Sequence, residues 1–200
     1  MMMCRKYLQL QRNIYPRISW YSKKNLPFGK FFFVCYNSHM RIIGIDPGLL
    51  HTGWAIIDVN GSARHYIASG VILPPTKLEL PDRLSFIFRG VTELCKEFKP
   101  DVCSIEFTFV NKNPKTTLLL GHARAAAIVA VANLDIQVFE YEPNLIKKAL
   151  TGAGHADKEQ IYKMLSILLP AAKPKTADES DAIAIALTHA NTSSLINRFK

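Results

Sequence analysis

The sequence predicts an α/β domain built on a mixed sheet, and two observations carry this prediction. Apolar runs at Arg41–Asp46, Trp54–Val59 and Arg64–Leu73, separated by short turns, are typical of three consecutive strands. Asn60-Gly61 between the second and third runs is a strong signal for a tight hairpin, so these strands form an antiparallel meander. After the meander, strands alternate with helices, which is typical of parallel strands joined by crossovers.

The helices follow from apolar spacing. The stretch Arg83–Phe98 carries apolar residues three and four positions apart, as an amphipathic helix does. Asp157, followed by Gln160 in the capping-box position, predicts another helix start. The remaining predicted elements are strands over Val102–Phe107 and Gln137–Tyr141, and helices over Thr116–Asn133, Asn144–Leu150 and Asp178–Ala190. The expected sheet therefore has five strands.

Length and charge limit the organisation of the chain. Two hundred residues with 48% hydrophobic content suffice for one domain with its own core. Residues 1–39 hold seven basic and no acidic side chains, whereas residues 40–200 hold 18 basic and 16 acidic ones, so +7 of the net charge of +9 lies in the N-terminal arm. We therefore expect a folded domain over 40–200. The remaining +2 favours a polyanionic partner only if the cations share one face.

The arm, residues 1–39, has three interpretations. It resembles a transit peptide in being basic and free of acids. It is also compatible with a tail that contacts DNA. The interpretation that we favour is a disordered or mis-assigned start, with translation beginning at Met40, because Met40 stands directly before the first organised strand.

The cysteines and the apolar segments exclude other classes. Cys4, Cys35, Cys95 and Cys103 show no paired CxxC spacing, which favours reduced thiols over disulfides or a zinc site. We expect no segment to reach the roughly 20 apolar residues of a membrane span, so no membrane partner is predicted.

Four acids stand where a core would not need them. Asp46 ends the first strand and precedes a glycine turn, Glu106 lies near the end of the fourth strand, and Asp178 and Asp181 share one face at a helix start. Each has a structural alternative: Asp46 is a common turn residue, and acids are favoured in a first helical turn by the helix dipole alone. Their apolar surroundings favour a functional role instead.

Buried carboxylates without cations are unfavourable, and converging ones repel each other. Hard oxygen ligands of this kind suit Mg²⁺, with Mn²⁺ as a substitute. Such ions activate water and stabilise the leaving oxygen of a phosphodiester. The four acids therefore indicate metal-dependent phosphodiester hydrolysis.

Several separated blocks between Met40 and Asn191 match a known family in order: GIDPG followed by TGW, strand-end IE followed by F and KN, LGHARAAAIVA, VFEYEP, and ADESDAIAIALTH. In these blocks the chain resembles RuvC-type Holliday junction resolvases, which have the RNase H-like fold. The resemblance implies a homodimer that binds four-way DNA junctions and nicks two opposed strands with Mg²⁺ during recombination and repair. It also assigns Asp46, Glu106, Asp178 and Asp181 as catalytic metal ligands.

The same resemblance implies further partners. It places the dimer contact on the helix Thr116–Asn133, although an alanine-rich core helix would look the same. It implies a branch-migration helicase complex as a partner and a bacterial cytoplasmic location, with organellar import through the arm as the alternative. The expected DNA-binding residues, each of which has an ordinary surface or loop role as its alternative, are Phe109, Lys112, Lys115, Lys147 and Lys158.

The chain departs from the family pattern in three places. Leu49 stands where the family commonly has Ser, and Glu179 and Ser180 replace small residues between the two aspartates. Because Glu179 points about 100° around the helix from Asp178, we expect it outside the metal ligands.

Three other functions fit parts of the pattern. Another RNase H-like nuclease, acting on RNA or on branched DNA, would keep the four acids. The GIDPG turn also resembles the phosphate loop of actin-like ATPases and sugar kinases, but those proteins need two such lobes. A junction-binding protein that does not cut is disfavoured by the complete set of acids.

Overall fold

The computed structural model describes residues 39–107, 113–152, 154 and 156–196, with side chains to residue 192. Within these residues the chain forms five strands and five helices. The strands are β1 (His39–Asp46), β2 (Thr52–Asn60), β3 (Ala63–Ile72), β4 (Val102–Glu106) and β5 (Gln137–Tyr141). The helices are α1 (Leu80–Phe98), α2 (Pro114–Ala132), α3 (Pro143–Thr151), α4 (Lys158–Leu168) and α5 (Ala177–Ile196).

The strands form one mixed sheet in the order β3-β2-β1-β4-β5. The β1–β2 and β2–β3 pairs are antiparallel, and the β1–β4 and β4–β5 pairs are parallel. The predicted α/β class and five-stranded mixed sheet are confirmed. The first strand lies at the centre of the sheet, so its carboxyl end can be reached from elements on both sides.

Alternation along β1 divides the core into two layers. Ile43 and Ile45 are fully buried in one cluster with residues of α1 and α2. Ile42 is fully buried in the other cluster, with residues of α3, α4 and α5. Because side chains alternate between the faces of a strand, Asp46 lies on the same face as Ile42, towards α5.

The last helix lies unusually close to the sheet because two glycines face it. A Cβ built on Gly44 would lie 2.3 Å from the carbonyl oxygen of Ala182, and one on Gly53 would lie 2.1 Å from that of Asp178. No real side chain fits at such distances. Glycine at these two positions therefore lets the first turns of α5 rest on β1 and β2.

The opposite end of β1 is held by a paired charge. The Arg41 guanidinium donates through Nε and Nη2 to the two carboxylate oxygens of Asp58, both at 2.7 Å, and through Nη1 to the Phe98 carbonyl at 2.9 Å. Hydrogen bonding from Arg41 is the main reason that the pKa of Asp58 lies below its ordinary value. This carboxylate is thus compensated inside the fold.

Some helix bounds differ from the predicted ones. Helix α1 begins at Leu80 rather than Arg83, because Pro81 occupies the first turn, where proline needs no hydrogen bond from its nitrogen. Helix α5 continues to Ile196, beyond the predicted end at Ala190. The predicted capping box of α4, formed by Asp157 and Gln160, is present.

Helix α2 departs from the expectation that no segment resembles a membrane span. Its 19 residues, with a mean hydropathy of 1.2, make it the one helix among the described residues that is long and apolar enough to cross a membrane. Core helices of soluble proteins meet the same criterion, and α2 packs Ala123, Ala127 and Ala130 against the sheet. Only 22% of its most apolar window is buried, which leaves apolar side chains on its outer face.

The close approach of α5 can be tested with Gly53→Ala. We expect the free energy of unfolding to fall by about 1–3 kcal/mol, because the added methyl group must push α5 away from β2. Urea denaturation followed by circular dichroism measures this. The matched control is Gly154→Ala, because the nearest described atom to a Cβ there lies at 3.8 Å. Equal stability of the two variants would contradict the close contact.

Candidate active site

Two of the four acids lie side by side at the carboxyl ends of the central parallel strands. Ile45 pairs with Ile105 in the β1–β4 ladder, so the next residues, Asp46 and Glu106, end adjacent strands. Neighbouring strands are about 4.8 Å apart, and residues in register point to the same face. The sheet therefore holds both carboxylates on the face that α5 covers.

The other two acids come from the start of α5. Gly53 lies opposite Asp46 in the β1–β2 pair, and the missing side chain of Gly53 is the space into which Asp178 fits. Asp181 follows on the same helical face, one turn later. The close packing of α5 thus brings Asp178 and Asp181 to the strand ends that carry Asp46.

The electrostatics show that the acids act on one another. Burial, followed by repulsion from Asp181, Glu106 and Asp178, raises the pKa of Asp46 to about 7. The pKa of Glu106 is also raised, first by burial and then by the charge of Asp181. In the described part of the chain none of the four acids forms an ion pair within 4.0 Å. The cluster carries negative charge without a direct partner.

Two lysines line a cavity together with two of these acids. The cavity, of about 510 Å³, is lined by Glu106, Asp181, Lys147 and Lys158 among other residues. Both lysines partly offset the effect of burial on the pKa of Asp181, and Lys158 does so for Asp46. Cations and acids therefore face the same space, an arrangement that suits a polyanion held next to a metal ion.

A second cavity of about 250 Å³ shares Lys158, Ile161 and Asp181 with the first. It adds Lys175 and the half-exposed ring of Tyr162. The cationic side of the site thus continues along α4 and the loop before α5.

The donor set fits an open magnesium or manganese site. No group of three or more His, Cys, Asp or Glu side chains in the described ranges is already closed around one point as a metal cage. Mg²⁺ does not require such a cage, since it keeps several waters and takes one or two carboxylates together with substrate phosphates. The four uncompensated carboxylates supply the hard oxygen donors for this kind of binding.

The predicted DNA-binding residues divide into three groups. Lys147 and Lys158 lie at the cavity with the acids. Lys115 is exposed in the first turn of α2 and lines neither cavity. Phe109 and Lys112 lie outside the described residues. Proximity to the acids therefore supports a role at the site for Lys147 and Lys158.

Two of the three residues that depart from the family pattern, Glu179 and Leu49, make contacts outside the acid cluster. Glu179 is 7% exposed and accepts a hydrogen bond at 2.8 Å from Ser69 Oγ on β3, which also bonds the Tyr66 hydroxyl. The side chain is therefore held by β3, in agreement with its predicted direction around the helix. Leu49 is partly buried and packs against the core cluster that includes α1 and α2.

Sequence reasoning missed Arg124, which contacts the site from α2. Its Nε donates to the Glu106 carbonyl oxygen at 3.1 Å, and its Nη2 pairs with the Glu140 carboxylate. The available signal was a single arginine in the middle of an alanine-rich helix.

Comparisons with known proteins agree with this geometry. The family model described as crossover junction endodeoxyribonuclease RuvC matches residues 42–189. The protein of that name from Rhodopseudomonas palustris (strain BisA53) is 50% identical over 152 residues, which are 76% of this chain and 87% of that protein. The one from Caulobacter vibrioides is 50% identical over 151 residues, covering 76% of this chain and 89% of that protein.

A solved structure shows the same fold. Thermus thermophilus RuvC, in complex with a Holliday junction substrate, superposes with a TM-score of 0.74 at 30% identity, covering 78% of this chain and 96% of that one. The sheet order, the acids at the strand ends and the matched family model lead to one conclusion. This chain belongs to the RuvC family of crossover junction endodeoxyribonucleases.

Proposed function

We propose that this chain is a structure-selective endonuclease that binds four-way DNA junctions and resolves them by cutting opposed strands. The observation that carries the proposal is a cluster of four mutually repelling acids, two of which, Glu106 and Asp181, line one cavity together with Lys147 and Lys158. A relative of the same fold that is bound to a Holliday junction supports the choice of substrate.

The chemistry assigned to the acids is metal binding. Asp46, Glu106, Asp178 and Asp181 would hold Mg²⁺, with Mn²⁺ as a substitute. When bound, such ions supply an activated water and stabilise the leaving oxygen of the phosphodiester. The protein itself contributes the fixed position of the carboxylates, because two are held by adjacent strands and two by a helix packed on glycines.

The cations position the substrate. Lys147 and Lys158 form no ion pair within 4.0 Å in the part of the chain that the structure describes, so their ammonium groups are available to DNA phosphates. Because they line the same cavity as Glu106 and Asp181, they would hold the scissile strand next to the acids. Lys115, Lys112 and Phe109 are also proposed to contact the junction.

A homodimer is proposed through α2. Leu118 is 61% and Val129 50% exposed, and with the exposed Gly121 and Ala125 they form an apolar stripe along one side of the helix. The small residues in the stripe allow a second helix to approach closely. An isologous dimer formed in this way presents two equal sites, as a junction with two cleavable strands requires.

The enzymatic proposal is tested with Asp46→Asn on a synthetic four-way junction, with linear duplex, single strand and RNA–DNA hybrid as comparison substrates. Loss of a metal ligand should slow junction cleavage at least about 100-fold, while binding is kept because a negative charge facing DNA is removed. Gel assays of cleavage and binding measure both, and exposed Asp82→Asn is the control. Substantial cutting by Asp46→Asn, or wild-type cutting confined to an RNA–DNA hybrid, would contradict the proposal.

The dimer is tested with Val129→Arg, which places a charge in the stripe. We expect a shift from dimer to monomer in sedimentation velocity, because burying an unpaired charge in an apolar contact is unfavourable. The matched control is Ile167→Arg on α4, since Ile167 is an equally apolar residue that is 67% exposed. A wild-type chain that sediments as a monomer, or a Val129→Arg variant that stays dimeric, would exclude this interface.

A further inference from the structure

Arg124 reaches from α2 to the end of β4, where it makes three contacts. Its Nε donates to the carbonyl oxygen of Glu106 at 3.1 Å, and its Nη2 pairs with the carboxylate of Glu140. Its guanidinium carbon lies 5.5 Å from the ring centre of Phe107, a cation–π distance. One side chain therefore holds two successive residues of the chain, the first of which is a proposed metal ligand.

The support behind Arg124 is rigid. Ala123 and Ala127, on the same helix, are fully buried against the sheet. On the other side of Glu106, the backbone is fixed by β5, because the Phe107 amide donates to the Tyr141 carbonyl at 2.8 Å. The end of β4 is thus held between β5 and the Arg124 guanidinium.

The contacts of Arg124 do not suit a residue whose task is to attract DNA. Its side chain is only 18% exposed and its charge is paired with Glu140. It also lines neither of the two cavities beside the acids. Its hydrogen bonds instead require the planar fork of a guanidinium, which donates from Nε and Nη2 at once, and a lysine ammonium cannot replace that geometry.

We propose that Arg124 is a positioning residue that fixes Glu106 for metal binding and couples α2 to the acid cluster. This inference rests on the proposed nuclease function. Because α2 also carries the exposed stripe of Leu118 and Val129, Arg124 links the proposed dimer helix to the backbone of Glu106, a proposed metal ligand.

The test compares Arg124→Gln and Arg124→Lys with the control Arg89→Gln, which removes an exposed arginine of α1. Four quantities are measured: junction affinity, sedimentation, single-turnover cleavage of prebound junction, and Mn²⁺ binding to the free protein by calorimetry. We expect Arg124→Gln to cleave about 10- to 100-fold more slowly and to bind Mn²⁺ more weakly. Junction affinity should stay unchanged, and Arg124→Lys should be as slow as Arg124→Gln.

Three results would overturn the inference. Wild-type cleavage by Arg124→Lys would mean that the charge alone matters. Weaker junction binding by Arg124→Gln with an unchanged prebound rate would make Arg124 a DNA contact. Unchanged Mn²⁺ binding by Arg124→Gln would show that Arg124 does not fix Glu106 for metal binding.

A milder variant tests the inference if Arg124→Gln fails to fold. Glu140→Gln keeps Arg124 but weakens its tether, so we expect a smaller decrease in rate and in Mn²⁺ affinity; wild-type values of both would count against the inference. If the wild-type chain cuts no junction, the proposed function fails, whereas the Mn²⁺ titration still decides the role of Arg124.

Discussion

The site depends on holding four like charges together against their repulsion. Two carboxylates, Asp46 and Glu106, are fixed by sheet pairing, and the other two are brought to them by α5. That helix can lie so close only because Gly44 and Gly53 have no side chains. Packing in the apolar core under α5 therefore opposes an electrostatic cost that Lys147 and Lys158 relieve only in part.

A carboxylate with a structural role has a different environment. Asp58, on β2, receives two hydrogen bonds from Arg41 at the start of β1, and the pKa of Asp58 is lowered. At the end of the same strand, Asp46 has no such partner and its pKa is raised to about 7. Two carboxylates on one pair of strands thus have opposite environments. The paired one stabilises the fold, whereas the unpaired one is suited to bind a cation.

Most of the fold could be predicted from sequence because its signals are local. Strand runs, the Asn60-Gly61 turn and the Asp157 cap each act over a few residues, and the structure contains all of them. The four acids were found because they interrupt apolar stretches. Predicting that the acids converge required the family resemblance as well, because no local sequence signal indicates that the start of α5 meets the end of β1.

The contacts that sequence did not reveal join distant segments. Arg124 and the Glu106 carbonyl are 18 positions apart, and Gly53 and Asp178 lie much farther apart along the chain. The sequence predicts Lys115 as a DNA-binding residue together with Lys147 and Lys158, yet Lys115 lines neither cavity beside the acids. The exposure of the apolar side of α2 could not be predicted from the sequence either, because a buried helix has the same composition.

The central claim is that the acid cluster is an uncompensated charge suited to a divalent ion. Thermal unfolding of the wild-type chain and of Asp46→Asn at pH 8, with and without Mg²⁺, tests it without any substrate. We expect Mg²⁺ to raise the Tm of the wild type. Without Mg²⁺, we expect the Asp46→Asn variant to melt at a higher temperature than the wild type, because the repulsion among the acids is relieved. A wild-type Tm that does not change with Mg²⁺, together with a Tm for Asp46→Asn below that of the wild type, would contradict the central claim.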